Sequence, residues 1–354
     1  MSLDPMSFQR RELLTAAMGS LLLGSTTPSQ AQAPSAPKPL LRAPRLKPGD
    51  TIGLVNPSNA IYERQPYEVT AETLQALGFK VREAPNLRAR YGHFAGTPEQ
   101  RASDINGLFA DPGIAGILAV TGGSGANRVL PLLDYAQIQR TPKFIGGFSD
   151  ITALINAIHA KTGLVTFHAP VGASEWNPFS VDSFRSVVMD AQPATLRNLV
   201  DKGDGLAPRD NRISTLRGGK ARGHLVGGNL AVLTSMAGST YLPSFDGAIL
   251  VLEEINEYIY RVDRMLSTLK LMGALDRLAG VVIGAFTNCT PGDNNFGTLT
   301  LDEVFDDAFR PLKVPVYRGA MIGHIKRKLT VPIGLPAEID ADAGTLRLLS
   351  AAVV

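Results

Sequence analysis

Short apolar runs alternate with stretches of helical spacing between residues 51 and 169. A short apolar run at residues 51–55 ends in a turn, and residues 79–81 are predicted as the next strand. The runs at 114–120 and 144–148 are predicted as buried strands, each leading into a glycine-containing loop or a helix start. Strands that are separated this regularly by helices indicate a parallel sheet that helices cover. We therefore predict an N-terminal α/β domain with a flavodoxin-like parallel sheet over residues 49–175.

Three residues mark where helices of this domain begin and end. Thr97 stands before a proline and predicts a helix start, because threonine caps an N-terminus and proline suits the first turn. Gly78 and Gly163 each follow a stretch of helical spacing, and glycine is favoured just beyond a helix C-terminus. The second of these stretches opens at Asp150, directly behind an apolar run.

The pattern weakens between residues 177 and 210, where Pro, Asp and Gly are scattered, and this predicts an inter-domain connection over residues 176–210. Short β-like runs and two helical stretches follow it. The β-like runs lie at residues 248–252, 281–286 and 346–353, and the helical stretches lie near residues 260–272 and 301–309. We predict a smaller, β-rich C-terminal domain over residues 211–354.

The first 33 residues have the layout of an export signal. Arg10 and Arg11 precede an apolar run at 13–24, which is shorter than the roughly 20 residues of a membrane-spanning helix. The arginine pair is typical of a twin-arginine signal, so we predict a periplasmic or otherwise exported protein, cleaved near Ala33 and without a stable membrane anchor. The alternatives are a chance arginine pair beside an ordinary secretory signal, or an uncleaved anchor. Five prolines at 34–48 predict an extended linker.

Composition narrows the function mainly by exclusion. With 44% hydrophobic and 19% charged residues, the chain is not a disordered one. Lys and Arg number 35 against 32 for Asp and Glu, too small an excess for a nucleic-acid-binding surface. The only cysteine, Cys289, excludes an intrachain disulfide and a Cys-rich zinc site, and no His, Asp or Glu motif has metal spacing. We therefore predict no metal, no other cofactor and no nucleic-acid partner.

A serine lies between a predicted strand and a predicted helix, in the segment 146–150. On such a turn the hydroxyl of Ser149 would project from the carboxyl edge of the sheet, and the helix N-terminus would favour developing negative charge. The alternative is that Ser149 or Asp150 only caps the helix. Because Ile151 stands where the G-x-S-x-G elbow has its last glycine, an α/β-hydrolase is disfavoured.

Two further places carry candidate chemistry. The glycine-rich loop at 121–125 follows a strand and would let backbone N–H groups approach an oxyanion or a phosphate, although it also fits a plain turn. Glu253 ends an apolar strand, and His324 lies in a glycine-flanked loop. A histidine is a suitable base for a serine, and a carboxylate can orient it, but each residue alone is more often structural.

Read in chain order, these segments resemble the LD-carboxypeptidase family, the muramoyltetrapeptide carboxypeptidases of serine peptidase family 66. The resemblance covers nearly all of the chain from about Leu46 onward. The matching segments are Asn56-Pro57-Ser58, Gly122-Gly123, Gly147-Phe148-Ser149-Asp150-Ile151-Thr152, Phe167-His168-Ala169-Pro170, Gly227-Gly228-Asn229-Leu230, Leu252-Glu253-Glu254 with Arg261-Val262-Asp263-Arg264, and Gly323-His324 with Val331-Pro332-Ile333-Gly334.

The resemblance implies a serine hydrolase that splits the bond before a terminal D-residue in peptidoglycan stem peptides, without a metal and as a homodimer. Position by position it implies Ser149 as the nucleophile, Glu253 as the carboxylate and His324 as the base. The backbone N–H groups of Gly123 and Asp150 would form the oxyanion hole. Glu254 is the competing carboxylate, although only the first acid after the strand matches the family pattern.

Some features leave alternatives open. The family loop often reads R-G-G-Y, whereas Thr121 and Ser124 flank the glycines here, which affects the expected substrate preference. A microcin-immunity-type peptidase that cleaves peptide–nucleotide amides would need an aromatic platform, for which Trp176 is the only tryptophan. An exported two-domain solute-binding protein is a third alternative. The basic run 326–328 would attract stem-peptide carboxylates or form a solvated face.

Overall fold

Buried strands and capped helices build two sheets in the computed structural model, which describes residues 38–200, 205–207, 210–292 and 297–354. In these residues the strands are β1 Thr51–Val55, β2 Lys80–Glu83, β3 Gly116–Ala119, β4 Phe144–Gly147, β5 Thr166–His168, β6 Thr195–Leu196, β7 Ser214–Arg217, β8 Lys220–Asn229, β9 Ala248–Ile255, β10 Gly280–Thr287, β11 Val316–Arg318, β12 Val331–Ile333, β13 Pro336–Asp340 and β14 Thr345–Leu348. The helices are α1 Gln65–Ala76, α2 Pro98–Ala110, α3 Tyr135–Arg140, α4 Thr152–Thr162, α5 Pro178–Val188, α6 Leu230–Ser235, α7 Ile259–Leu271 and α8 Leu301–Phe309.

The first sheet has the strand order β12-β5-β4-β3-β1-β2. Strands β1 to β5 are parallel and follow the flavodoxin-like order 2-1-3-4-5, which confirms the predicted fold class. The helix signals act as expected. Thr97 forms a capping box with Gln100 at the start of α2, and Gly163 ends α4 with φ +78°.

The second sheet has the strand order β6-β14-β13-β8-β9-β10-β11-β7. Its four central strands, β8 to β11, are parallel, and the strands on either side are antiparallel. Helices α6 to α8 belong to the same part of the chain, so this β-rich half also contains βαβ units. Strand β9 is buried along all but its last residue, and β10 is buried along its first five residues.

The sequence pattern did not reveal α5, which lies inside the predicted connection. Asn177 caps this helix through its side chain, and a proline occupies the first turn. Serines share the buried face with Phe184 and Val187, which weakens the apolar period there. Strand β6, in the same segment, pairs with β14. The division into domains at residues 176–210 stays a prediction.

The described part of the predicted linker, residues 38–48, is extended and packed against the fold. Leu41 donates a backbone hydrogen bond to Gly163 at 2.9 Å, and Arg45 donates one to Val354 at 2.7 Å. The side chains of Ala43 and Leu46 are fully buried. This part is therefore fixed to the surface rather than a free linker. The predicted signal at residues 1–33 lies outside the described residues.

None of the helices that the described residues form has both the length and the apolar character needed to span a membrane.

Candidate active site

Ser149 lies on the turn that joins β4 to α4, at the carboxyl edge of the first sheet. Its φ angle is +63°, in the left-handed region that non-glycine residues rarely adopt. Backbone strain of this kind concentrates at functional sites, and a sharp strand-to-helix turn projects a serine hydroxyl away from the sheet. The alternative of a helix cap is wrong, because neither Ser149 nor Asp150 caps this helical segment with its side chain.

The glycine loop approaches Ser149 closely. A Cβ atom at Gly122 would stand 2.8 Å from the Cβ of Ser149, so only glycine allows this approach. The backbone N–H groups of Gly123 and Asp150 have no hydrogen-bond acceptor among residues 38–200, 205–207, 210–292 and 297–354. Unpartnered backbone donors beside a serine turn are suited to stabilising an oxyanion.

The carboxylate of Asp150 links the loops that carry Ser58 and Ala126. Its Oδ2 accepts a hydrogen bond of 2.6 Å from the hydroxyl of Ser58 and one of 2.8 Å from the backbone N–H of Ala126. Burial raises the pKa of Asp150, while these two donors and the charge of Arg101 act in the opposite direction. These bonds therefore help to fix Asp150, whose backbone N–H is one of the two candidate oxyanion donors.

Arg101 lies behind the same loops and was not found from the sequence. Although it is on α2, its side chain is only 2% exposed. Its guanidinium donates to the carbonyl of Gly125 at 3.0 Å and also to the carbonyl of Pro57. Burial lowers the pKa of Arg101, and the negative charge of Asp150 partly offsets this. One buried cation thus fixes the two loops that flank Ser149.

Glu253 and His324 form a hydrogen-bonded pair. The Nδ1 of His324 lies 2.7 Å from the Oε2 of Glu253, whose side chain is fully buried at the end of β9. A Cβ at Gly323, where φ is +112°, would stand 2.7 Å from that oxygen, so a glycine lets the histidine loop pass over the carboxylate. The pairing of Nδ1 leaves Nε2 as the nitrogen available to a hydroxyl.

The competing carboxylate, Glu254, has a different role. It accepts hydrogen bonds from the side chain of Asn229 at 2.9 Å and from the backbone N–H groups of Ala231 and Ile255, both at 2.8 Å. Burial raises the pKa of Glu254, and these donors partly counteract the shift. Glu254 thus fixes the start of α6, whereas Glu253 faces the histidine.

Strand pairing places the histidine loop beside the serine turn. Strand β12 begins at Val331, which pairs with His168 at the carboxyl end of β5, and His168 in turn pairs with Gly147. The chain from His324 to Val331 therefore crosses the carboxyl edge of the first sheet close to Ser149. Thus β12 belongs to the first sheet, although the sequence placed it in the C-terminal domain.

Helix α4 connects the serine turn to the second sheet. Asn156 exchanges hydrogen bonds with the backbone of Gly227 at 2.8 and 3.2 Å. The hydroxyl of Thr152 accepts a bond of 2.9 Å from the backbone of Asn229. These three hydrogen bonds therefore hold the two sheets in a fixed relation.

The aromatic ring of Phe148 bridges the serine and the histidine. Phe148 precedes Ser149 in the chain, and its ring meets the ring of His324 edge-on with 4.8 Å between centroids. No direct hydrogen bond joins Ser149 to His324 in the part of the chain that the structure describes. In free enzymes such bonds are often long and shorten when substrate binds.

Two buried basic residues complete the surroundings. His168 is 2% exposed, and neither of its ring nitrogens has a partner among the described residues. Burial lowers the pKa of His168 to about 4, so its ring is neutral at pH 7. Lys328 is 6% exposed, its Nζ lies 4.5 Å from the centroid of Phe148, and burial lowers its pKa to about 8. The sequence gave His168 no role beyond its place in a matching segment, and it left two alternatives for the basic run that includes Lys328: attraction of stem-peptide carboxylates or a solvated face.

Ser124 departs from the R-G-G-Y pattern of the family loop, and it contacts two neighbouring side chains. Its hydroxyl lies 3.1 Å from the Nε2 of His93, and its backbone N–H donates to the side chain of Asn59 at 3.0 Å.

Groups of three or more His, Cys, Asp or Glu side chains arranged to hold a metal do not occur in the described ranges.

Comparison with known families matches both halves of this site. A family model described as the LD-carboxypeptidase N-terminal domain matches residues 52–169, which include Ser149. A second, described as the LD-carboxypeptidase C-terminal domain, matches residues 222–339, which include Glu253 and His324.

Individual relatives match over most of their length. A probable murein peptide carboxypeptidase of Bacillus subtilis is 33% identical over 300 residues, covering 83% of this chain and 90% of the relative. The murein tetrapeptide carboxypeptidase of Pseudomonas aeruginosa is 31% identical over 302 residues, covering 82% and 93%. The microcin C7 self-immunity protein MccF of Escherichia coli is 32% identical over 335 residues, covering 86% and 94%. A solved structure of MccF with glutamyl sulfamoyl guanosine has a TM-score of 0.80 at 28% identity, covering 89% of this chain and all of that one.

Proposed function

The chain belongs to the LD-carboxypeptidase family and is a serine-type carboxypeptidase, and we propose that it removes the terminal D-alanine from peptidoglycan stem tetrapeptides. The observation that carries this proposal is the 2.7 Å hydrogen bond between His324 and the buried Glu253, beside the strained turn of Ser149. Relatives named for murein peptides and murein tetrapeptides support the substrate.

In the first half of the reaction, the hydroxyl of Ser149 attacks the carbonyl carbon before the terminal D-alanine. The Nε2 of His324 accepts the hydroxyl proton, and Glu253 stabilises the imidazolium that forms. The N–H groups of Gly123 and Asp150 donate to the oxyanion of the tetrahedral intermediate. His324 then protonates the departing amine, which leaves an acyl-enzyme on Ser149.

In the second half, a water molecule replaces the amine. His324 takes a proton from this water as the water attacks the ester carbonyl, and the same N–H groups stabilise the second oxyanion. Return of the proton to the oxygen of Ser149 releases the tripeptide and the free enzyme. The scheme needs one acid–base group and no cofactor.

Release of D-alanine from disaccharide tetrapeptide, followed by mass spectrometry, tests the proposal. The native protein is expected to release D-alanine in the presence of EDTA, and the Ser149→Ala variant is expected to release none. Absence of D-alanine with the native protein would refute the cell-wall substrate. Equal release by the native protein and the variant would exclude Ser149 as the nucleophile.

A peptide–nucleotide amide is the second candidate substrate, because MccF was solved with an amino-acyl sulfamoyl nucleoside and has the same fold. The aromatic platform considered for this substrate is not free. The indole of Trp176 donates to the carbonyl of Val171 at 3.1 Å and packs edge-on against Phe184 at 5.1 Å. Incubation with such an amide under the same conditions decides between the two substrates. Family membership rules out the solute-binding alternative.

The proposal also includes export of the enzyme and its dimerisation. We infer from the layout of residues 1–33 that the enzyme is exported by the twin-arginine route and acts on peptidoglycan in the periplasm, and from the family resemblance that it is a homodimer. Light scattering during gel filtration of the protein lacking residues 1–33 tests the dimer, which a monomer mass at micromolar concentration would refute.

A further inference from the structure

Lys328 is a buried cation that lacks a direct anionic partner among the described residues, although the more distant charges of Glu253 and Glu175 act on it. It is 6% exposed, and its Nζ makes no hydrogen bond or close ion pair with any residue that the structure describes. A buried charge without a partner is costly, so a group of this kind is retained where it meets an opposite charge. Its ammonium group lies 4.5 Å from the ring centroid of Phe148, which stabilises a cation but does not neutralise it.

The rest of the residue is held rigidly. The backbone N–H of Lys328 donates to the hydroxyl of Ser180 at 2.9 Å, and that of Thr330 donates to Ser183 at 2.9 Å. Both serines lie on α5, so this helix fixes the segment that carries the lysine. The ammonium group is therefore positioned before any ligand arrives, which reduces the entropy lost on binding.

Lys328 lies in the region where the departing end of the substrate is expected. The ring of Phe148 contacts Lys328 and also contacts His324, with 4.8 Å between ring centroids. In the proposed reaction His324 protonates the amine of the departing D-alanine, and the carboxylate of that residue is only two covalent bonds from its amine nitrogen. A cation that recognises this carboxylate must therefore lie close to the histidine, as Lys328 does.

The neighbouring lysine of the basic run is unlike Lys328. The side chain of Lys326 is 83% exposed and lies 3.7 Å from the carboxylate of Glu175. Exposed pairs of this kind contribute little to binding or stability. The sequence treated residues 326–328 as one charged run, whereas the structure separates a buried cation from a solvated one.

We propose that the ammonium group of Lys328 binds the terminal α-carboxylate of the substrate and so makes the enzyme a carboxypeptidase rather than an endopeptidase. This inference rests on the proposed function. A charged hydrogen bond to a carboxylate has the strength needed to discriminate a free terminus from a blocked one. The carboxylate would form the direct ion pair that Glu253 and Glu175, which act on Lys328 from a greater distance, do not form.

Two substrates test the inference: the disaccharide tetrapeptide with a free C-terminal carboxylate and the same compound as its C-terminal amide. We expect the native enzyme to prefer the acid, and Lys328→Met to lower kcat/KM for the acid by about 10- to 100-fold, mostly through KM. The ratio of acid to amide turnover should then fall to about 1. Lys328→Arg should keep part of the preference, and Lys326→Met should keep all of it.

Binding to the inactive Ser149→Ala variant, measured by calorimetry with and without Lys328→Met, gives a second readout. Loss of affinity for the acid but not for the amide supports the inference. An equal loss for both compounds would show that Lys328 is only structural and would overturn it, as would an unchanged preference in Lys328→Met. If Lys328→Met does not fold, Lys328→Gln serves the same comparison. If the native enzyme hydrolyses neither compound while the acid still binds through Lys328, the proposed reaction fails and the carboxylate site stands.

Discussion

The α-carbon of Gly123 lies so close to the side chain of Asn59 that a methyl group there would overlap the Asn59 amide. The φ angle of Gly123 is +129°, which L-residues also avoid. Asn59 in turn accepts a hydrogen bond from the backbone N–H of Ser124 at 3.0 Å. The contact therefore fixes the loop that presents the N–H of Gly123 beside Ser149.

Gly123→Ala is expected to lower kcat by at least about 100-fold, because the new methyl group moves an oxyanion donor away from its position. D-alanine release under saturating substrate measures this. Gly107→Ala is the matched control, because Gly107 lies within α2 and nothing stands within 4 Å of its missing Cβ. That variant should keep full activity and gain up to about 1 kcal/mol of unfolding free energy. An active Gly123→Ala variant would remove this loop from the mechanism.

Glu253→Gln and Glu254→Gln separate the two adjacent acids. Glu253→Gln should lower kcat by about 10³- to 10⁴-fold at nearly unchanged stability, because a glutamine no longer stabilises the imidazolium of His324. Glu254→Gln should keep kcat within about threefold but lower the unfolding free energy by about 1 to 3 kcal/mol, because it accepts fewer hydrogen bonds at the start of α6. Kinetics and urea denaturation of both variants measure these effects. The reverse pattern would make Glu254 the catalytic carboxylate.

Acid should destabilise the protein partly through His168. Because burial lowers its pKa from 6.5 to about 4, the unfolded chain binds more protons than the folded one between these values. Unfolding free energy should therefore fall as the pH drops through this window, by about 2 kcal/mol between pH 7 and pH 5 from this residue.

Urea denaturation of His168→Gln at pH 7 and pH 5 isolates this contribution. The variant should lose about 2 kcal/mol less than the native protein over this interval, whatever its stability at pH 7. His93→Gln, a change at an exposed histidine, should behave like the native protein. Equal losses in the native protein and His168→Gln would show that the fold does not lower the pKa of His168.

Export should depend on the arginine pair of the leading segment. Replacing Arg10 and Arg11 together by lysine should leave the full-length precursor in the cytoplasm, because the twin-arginine route reads these two side chains. Immunoblots of cytoplasmic and periplasmic fractions measure this, with Arg64→Lys as the control. Processing and export of the double variant at the native level would instead indicate an ordinary secretory signal.

Local signals in the sequence were sufficient for four of the six strands of the first sheet, β1 to β4, and for parts of the site. Thr97 before a proline and Gly163 after an apolar period each act over a few residues, so the helix ends that they predict are found where expected. The turn of Ser149 was likewise predicted from the strand before it and the helix after it. The roles of Glu253 and His324 came from the family resemblance, since no local pattern links residues so far apart.

The remaining features depend on long-range packing. Arg101 is on a helix where an arginine would ordinarily face solvent, and only the arrangement of two distant loops explains its burial. Lys328 belongs to a run of three basic residues, and its burial follows from packing against α5, a helix far away in the sequence. Strand β12 has three residues including Pro332, too short and too irregular to predict as a strand, although its edge position tolerates a proline.

The pairing of β12 with β5 also constrains the order of events during synthesis. The first sheet lacks its sixth strand, and the candidate base lacks its place beside the serine, until the ribosome has delivered residues near the end of the chain. A nascent or truncated chain that ends before β12 therefore lacks the strand pairing that places the loop of His324, the proposed base, beside Ser149. Contacts between such distant segments form late, so this peptidase would become active only when its folding is nearly complete.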